Sequence, residues 1–285
     1  MSTKLFERRC VLLIGKVPAK GDFALEPPAA LRVEGLDIEF RVEKDLQSSP
    51  NNAEISVFNL SAESRAKLEG SGQRVILQAG YEGTEAQIFS GDLRRAFSTK
   101  QGPDWVTKIE AGDGERSIAF PRLRESYRPG TSVADVVKKT LRSMGGDSTT
   151  AVEKASRLAG EFSSGYAQSG SSSRELTTLL EPLGYTWSVQ DGRIEILQED
   201  ETVADSAVLV SPESGLVGSP TIAAATKEKK AAVKLRTLLL PRLRPGQKLE
   251  LRSESMTGVL KALRVTHAGA THGGDWYTDI EAHPL

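Results

Sequence analysis

The chain has 285 residues, 37 of them basic and 38 acidic, giving a formal net charge of -1. That length implies two or three compact units, and so balanced a charge excludes global attraction to nucleic acid or to an anionic membrane. The apolar run Val11-Leu12-Leu13-Ile14 is far short of the roughly 18 residues of a membrane span, and Arg8, Arg9 and Lys16 flank it too tightly for a secretory signal, so a soluble protein made in the cytoplasm is expected.

The first segment, to about residue 115, reads as strands. Its one cysteine, Cys10, sits in the apolar run and reads as a small buried hydrophobe. Residues 18–35, with Pro27 and Pro28, show little periodicity and are expected to form an extended surface or interface loop. Leu36, Ile38, Phe40 and Val42 alternate with Asp37, Glu39 and Arg41, the period that buries one face of a sheet. Further strands are expected at 53–60, 73–81, 86–97 and 104–111. Between the first two, Ser61, Glu63 and Gly70 mark the cap, first turn and stop of a short helix.

In the middle segment the period changes. Ser132 and Asp135 resemble a capping box ahead of the apolar stripe Val133, Val136, Val137, Thr140, Leu141 and Met144, which ends at Gly145. A second helix is expected at 151–158, and a third begins at Ser172, carries Leu176, Leu179, Leu180 and Leu183, and is limited by Pro182. Residues 163–173 are rich in Ser and Gly and read as a flexible connection. Asp191-Gly192, between Tyr185, Trp187, Val189 and Ile194, Ile196, signals a two-residue hairpin.

From about 203 the pattern returns to strands, at 232–240, 247–252, 259–267 and 276–282. Their order repeats the first segment. Gly72-Gln73-Arg74-Val75-Ile76-Leu77 matches Gly246-Gln247-Lys248-Leu249-Glu250-Leu251, Gly91 matches Gly258, and the octet DWVTKIEA at Trp105 shares six of eight residues with DWYTDIEA at Trp276. The intervals differ, 19 against 12 residues and then 14 against 18, as expected of two copies that kept strands and changed loops.

The search for chemistry yields no constellation. No phosphate loop, HExxH, GxSxG or calcium loop occurs, and the carboxylates are too evenly spread to single out an acid and a base. His267, His272 and His283, with Asp275, fall within the last nineteen residues, but their spacing matches no ligand pattern and they read as exposed loop or strand-end histidines; neither metal nor cofactor is expected. Lys234, Arg236, Arg242, Arg244 and Lys248 form a basic stretch without interleaved aromatics, which reads as a solvated or salt-bridged face, with contact to a nucleic-acid backbone the alternative.

Five strings in fixed order, NNAEISVFNLS at 51–61, VILQAGYEG at 75–83, IFSGDL at 88–93, LVGSPTI at 216–222 and HAGATHGGDWYTDIEA at 267–282, resemble the baseplate hub (tail hub) proteins of contractile-tailed bacteriophages and related contractile injection systems. The chain departs from the family at Gly269-Ala270, where relatives often have Gly-Asp. The resemblance implies a mostly β fold with an inserted α+β domain: tube-like β-barrel or sandwich domains at 1–115 and 203–285, flanking a small domain of helices and a hairpin at 116–202. It also implies a non-enzymatic homotrimer in the virion baseplate. Such a trimer adapts a sixfold tail tube, or its initiator ring, to a threefold central spike, contacts other baseplate proteins, and surrounds a channel through which DNA passes. The competing readings are a tail-associated cell-wall hydrolase and a DNA-contacting tail protein. Structural roles are expected for Trp105 and Trp276 as buried anchors of equivalent strands, and for Gly80, Gly91, Gly246 and Gly258 at turns or close backbone approaches. Pro27, Pro28, Lys234, Arg236, Arg242 and Arg244 are candidate interface residues.

Overall fold

A computed structural model describes residues 7–16, 31–68, 72–145, 147–204, 206–223 and 232–285. Pro27, Pro28 and most of the expected 18–35 loop lie outside the described residues. The first segment forms β1 (Arg8–Lys16), β2 (Leu31–Val33), β3 (Ile38–Asp45), β4 (Asn51–Phe58), α1 (Ala62–Lys67), β5 (Gln73–Tyr81), β6 (Ala86–Gln101) and β7 (Asp104–Asp113). The middle segment forms α2 (Glu115–Ala119), β8 (Arg122–Tyr127), β9 (Thr131–Ser132), α3 (Val133–Met144), α4 (Thr149–Ala155), β10 (Glu161–Phe162), β11 (Tyr166–Ser171), α5 (Ser172–Leu180), β12 (Tyr185–Gln190) and β13 (Arg193–Gln198). The last comprises β14 (Ala207–Val210), β15 (Thr221–Ala223), β16 (Ala232–Leu238), β17 (Lys248–Arg252), β18 (Thr257–Ala270) and β19 (Trp276–Pro284).

Both β segments belong to one 13-stranded sheet, whose main path runs β15-β16-β19-β18-β3-β4-β7-β6-β5-β1-β2, with β17 on β18 and β14 on β17. The repeat is visible in this order. Strands β3-β4-β7-β6-β5 and β15-β16-β19-β18-β17 follow the same antiparallel path, each strand pairing in its own unit as its counterpart does in the other. A β-bulge fixes the alignment, because it inserts one residue at Arg94 in the β6·β7 ladder and one at Leu263 in the β18·β19 ladder. Counting from it, Arg95 faces Glu110 as Arg264 faces Glu281, and Lys100 faces Trp105 as Gly269 faces Trp276. Hydrogen bonds repeat too. Ser98 Oγ lies 2.9 Å from Thr107 Oγ1, while His267 Nδ1 lies 2.9 Å from Thr278 Oγ1. Asn59 N–H donates to the Trp105 carbonyl at 2.7 Å, and Leu239 N–H to that of Trp276 at 3.0 Å.

The same register corrects one sequence match. Gly91 faces Val75, but Gly258 faces Leu251, so the counterpart of Gly91 is Leu260 rather than Gly258.

The middle segment packs the stripe of α3 against α5, α4 and the β12–β13 hairpin, burying Val136, Leu141, Leu176, Leu180, Trp187 and Ile194. Ser132 caps α3 by accepting from Asp135 N–H. The flexible connection expected at 163–173 is instead largely strand: β11 pairs with β8 along its whole length. Composition misled there because one buried amide organises the segment. Gln168 accepts from Tyr127 Oη and donates to Thr140 Oγ1, both at 2.9 Å.

The two tryptophans occupy matching strand positions with unlike burial. Trp276, 2% exposed, meets Phe40 edge-on at 5.4 Å and joins the core of the first β unit. Trp105 is 38% exposed, with the Arg65 guanidinium 4.0 Å above its ring, so its expected role as a buried anchor is corrected. The cause lies across the ladder. A Cβ on Gly269 would lie 2.5 Å from Phe40 and 2.6 Å from Trp276, so glycine there admits both rings, whereas the position facing Trp105 holds Lys100. Trp276→Ala is expected to cost about 3–5 kcal/mol in urea denaturation and Trp105→Ala less than about 1 kcal/mol; equal losses would contradict this asymmetry.

Candidate assembly surface and its central clasp

The largest concentration of buried ionisable groups among the described residues lies where the three segments meet. The Asp191-Gly192 turn of the β12–β13 hairpin has positive φ at both residues, 55° and 82°, as a two-residue I′ turn requires. The turn inserts against the sheet. Lys44, at the inward end of β3, donates to Asp191 Oδ1 at 2.6 Å, with the two side chains 1% and 5% exposed. Ser90 N–H donates to the same oxygen at 3.1 Å, and Arg244 Nε from the last segment lies 3.6 Å from Oδ2. Asp113, at the end of β7, accepts the backbone N–H groups of Asp191 and Gly192, the latter at 2.8 Å. Two amides complete the clasp: Gln190 donates to the Asp45 carbonyl at 2.6 Å and Asn51 to that of Val189 at 2.7 Å.

Burial, followed by the neighbouring Asp191 carboxylate, pushes Asp113 up to about 7, against the lowering influence of Lys44 and the two N–H donors. Burial, followed by the Lys44 charge, pushes His267 down to about 3, so its ring is neutral in the sheet. Burial likewise raises the Cys10 thiol to about 12, which keeps it a protonated core group. These carboxylates are enclosed and hold a turn, so none of them presents an acid or base to a substrate.

The other expected residues fall as follows. A Cβ on Gly91 would lie 2.6 Å from the Gly112 carbonyl oxygen, one on Gly80 2.6 Å from Glu85, and one on Gly246 2.6 Å from Val203, whereas nothing lies within 4 Å of one on Gly258. Gly258 lies within β18, without positive φ and without a close neighbour, so it serves neither a turn nor a close approach, which corrects that expectation. The basic stretch is dispersed. Lys234 pairs with Glu281 at 3.3 Å and Arg236 with both oxygens of Asp279 at 2.7 and 2.9 Å, while Arg244 turns to the clasp and Arg242 is exposed. Lys234 and Arg236 belong to the outer face of the sheet, where charges alternate in sign, as in Arg41 with Glu43 at 2.7 Å and Arg95 with Glu110 at 2.6 Å. A groove of about 390 Å³ on this face is lined by Arg41, Glu43, Lys234, Arg236 and the carboxylates that pair with them. The histidines stand apart: His267 is buried mid-strand, which corrects its expected exposure, His272 pairs with Asp37 in a loop at 3.4 Å, and His283 faces Lys261 near the far end of β19.

Sequence reasoning missed Lys44, Asp113 and Asp191 as a unit. A signal was present for Lys44, which occupies the next inward position after Ile38, Phe40 and Val42.

Two outcomes test the clasp. Asp191→Asn keeps a residue that tolerates positive φ but leaves Lys44 without its partner, so a loss of about 3 kcal/mol is expected in urea denaturation. Adding Lys44→Met should recover part of it, and a double variant no more stable than Asp191→Asn would remove the ion pair as the cause. For Asp113, the ordinary value of 3.8 is raised in the fold, so its stabilising contribution is complete below about 3.8 and is lost as pH rises through about 7. The melting temperature of the native chain relative to Asp113→Asn should therefore rise as pH falls from 7.5 to 5, His267 being common to both proteins. A flat or falling difference would contradict the burial of this carboxyl.

No family model and no curated relative matches the sequence. Solved structures do match. The 43 kDa tail protein of prophage MuSo2 from Shewanella oneidensis superposes with a TM-score of 0.65 at 7% identity, covering 96% of this chain and 96% of that one. The tail protein from Neisseria meningitidis MC58 gives 0.65 at 8% identity, covering 98% and 97%. The E. coli c3393 protein, described as a component of the type VI secretion system with structural similarity to the T4 bacteriophage tail proteins gp27 and gp5, gives 0.60 at 12% identity over 87% and 73%. The chain thus has the fold of the tail proteins of phages and prophages and of this secretion-system component.

Proposed function

We propose that the protein is a structural tail hub: three copies form a ring that joins a sixfold tail tube, or its initiator ring, to a threefold central spike. The observation that carries this reading is the duplicated β unit, whose bulge, ladder register and threonine hydrogen bonds recur within one chain. Two such units per chain give six in a trimer, so cyclic assembly supplies pseudo-sixfold contacts on one side and true threefold contacts on the other. On this reading the β units at 1–115 and 203–285 build the ring in the virion baseplate, and the 116–202 domain rides on the clasp beside other baseplate proteins.

The role is mechanical and interfacial rather than enzymatic. Arg41, Arg95, Lys234 and Arg236 of the outer sheet face are each paired with a carboxylate, which suits a channel wall that DNA passes without adhering. Electron microscopy of the concentrated protein, or of the particle containing it, should show a threefold ring with six similar β units. A chain present as a single copy in the assembled particle would overturn the reading, and turnover of peptidoglycan by the purified protein would favour the hydrolase instead.

A further inference from the structure

Two of the open edges of the sheet are unlike. At one end β15 pairs only with β16 among the described residues. Near the other, β6 is only half covered: β5 takes residues 86–92, β7 takes the opposite side, and among the described residues no strand lies along the outer side of 95–101.

The counterpart of that open half is filled within the chain. In β18, residues 264–270 pair with β3 along seven positions. By the register of the repeat, β18 is the counterpart of β6 and β3 that of β15. The β3·β18 junction is therefore one instance of a contact whose second instance, β15 on β6, is not made inside one chain. Burial follows the difference. Val265, Thr266 and His267 are buried beside β3, whereas their counterparts Ala96 and Ser98 on β6 are half-buried and Phe97 is exposed. Val42 of β3 is 0% exposed, and its counterpart Ile222 of β15 is 65% exposed. Residues 97–99 and 219–222 also carry no charge, the usual guard of an edge strand against pairing.

We propose that β15 of one copy adds antiparallel to the outer half of β6 of a second copy, with Thr221 opposite Thr99, Ile222 opposite Ser98 and Ala223 opposite Phe97. The register is transferred from the intrachain junction, where Arg41, Val42 and Glu43 face Ala268, His267 and Thr266. Thr221 and Ile222 match Arg41 and Val42 through their partners on β16 and β4, and Thr99 and Ser98 match Ala268 and His267 through the bulge. A second copy is the occupant because both halves of the contact lie on this chain and each copies a surface already seen to join. The contact is head-to-tail, so repetition closes a ring or runs on as a filament. Closure at three rests on the hub reading; the edge pairing itself does not.

Single-cysteine variants Thr99→Cys and Thr221→Cys test this, since Cys10 is buried. Within one chain the two positions stand seven strand spacings of about 4.8 Å apart, beyond the reach of a disulfide. At high concentration under oxidising conditions, a mixture of the two variants should give a covalent dimer while each alone stays largely monomeric. A chain carrying both substitutions should give a covalent trimer. Pairing Thr221→Cys with Gln101→Cys, two residues out of register, should cross-link at least tenfold less. Ile222→Asp should lower the yield at least tenfold while leaving the monomer's melting temperature unchanged. No dimer in the mixture, equal dimer from either variant alone, or equal yield out of register overturns the proposal. Covalent rings of a number other than three support the edge pairing and remove the threefold hub, whereas trimers that never cross-link leave the hub and remove this edge.

Discussion

The placement of the middle domain on the sheet turns on one buried ion pair, Lys44 with Asp191. It sits where the first β unit, the middle domain and the Arg244 loop converge, and both charges are almost wholly removed from water. Desolvating two charges is expensive, so the pair is better read as a positional device than as a source of net stability. Only one placement of the hairpin turn satisfies Lys44, the Ser90 N–H and the Asp113 carboxylate together. A slip of the middle domain by one residue would strand a charge in the core. That penalty fixes the domain's angle against the sheet more sharply than apolar packing could.

The duplicated units show how a repeat can be preserved in geometry while drifting in sequence. What persists is the bulge, the threonine held by a neighbouring strand, and the backbone bond to the tryptophan carbonyl. Side chains around these points diverged according to what each copy touches. Ser98 and His267 hold equivalent threonines with different chemistry, and the buried imidazole is kept neutral by its surroundings. The identity of the two octets is thus the residue of a shared ladder position, not of a shared environment.

Much of the fold was legible in the sequence because its strands alternate strictly, as in β3, and its helices carry clear caps, as at Ser61 and Ser132. What escaped has physical reasons. Strands β14 and β15 are four and three residues long, too short for a period to register. Strand β11 is built from Ser, Gly and Gln, whose pairing depends on the Gln168 amide rather than on apolar alternation. Gly91 and Gly258 each precede a Trp octet, yet they occupy strand positions two ladder steps apart, which spacing along the sequence does not reveal. The clasp was invisible because its members are distant in sequence, although a lysine on the inward parity of β3 marked the place where a buried counter-charge had to arrive.

The long strand β18 pairs with β17, β19 and β3, and so welds the two copies of the unit within one molecule. Tethering has a concentration equivalent: ends joined by a chain meet as though each were present at about millimolar level. The weld between copies inside the chain consequently forms during folding at any protein abundance. A like contact between separate chains has no such tether and waits on supply. Duplication of the unit therefore makes the junction between its own two copies insensitive to expression level, whereas any like junction between chains would respond to local accumulation.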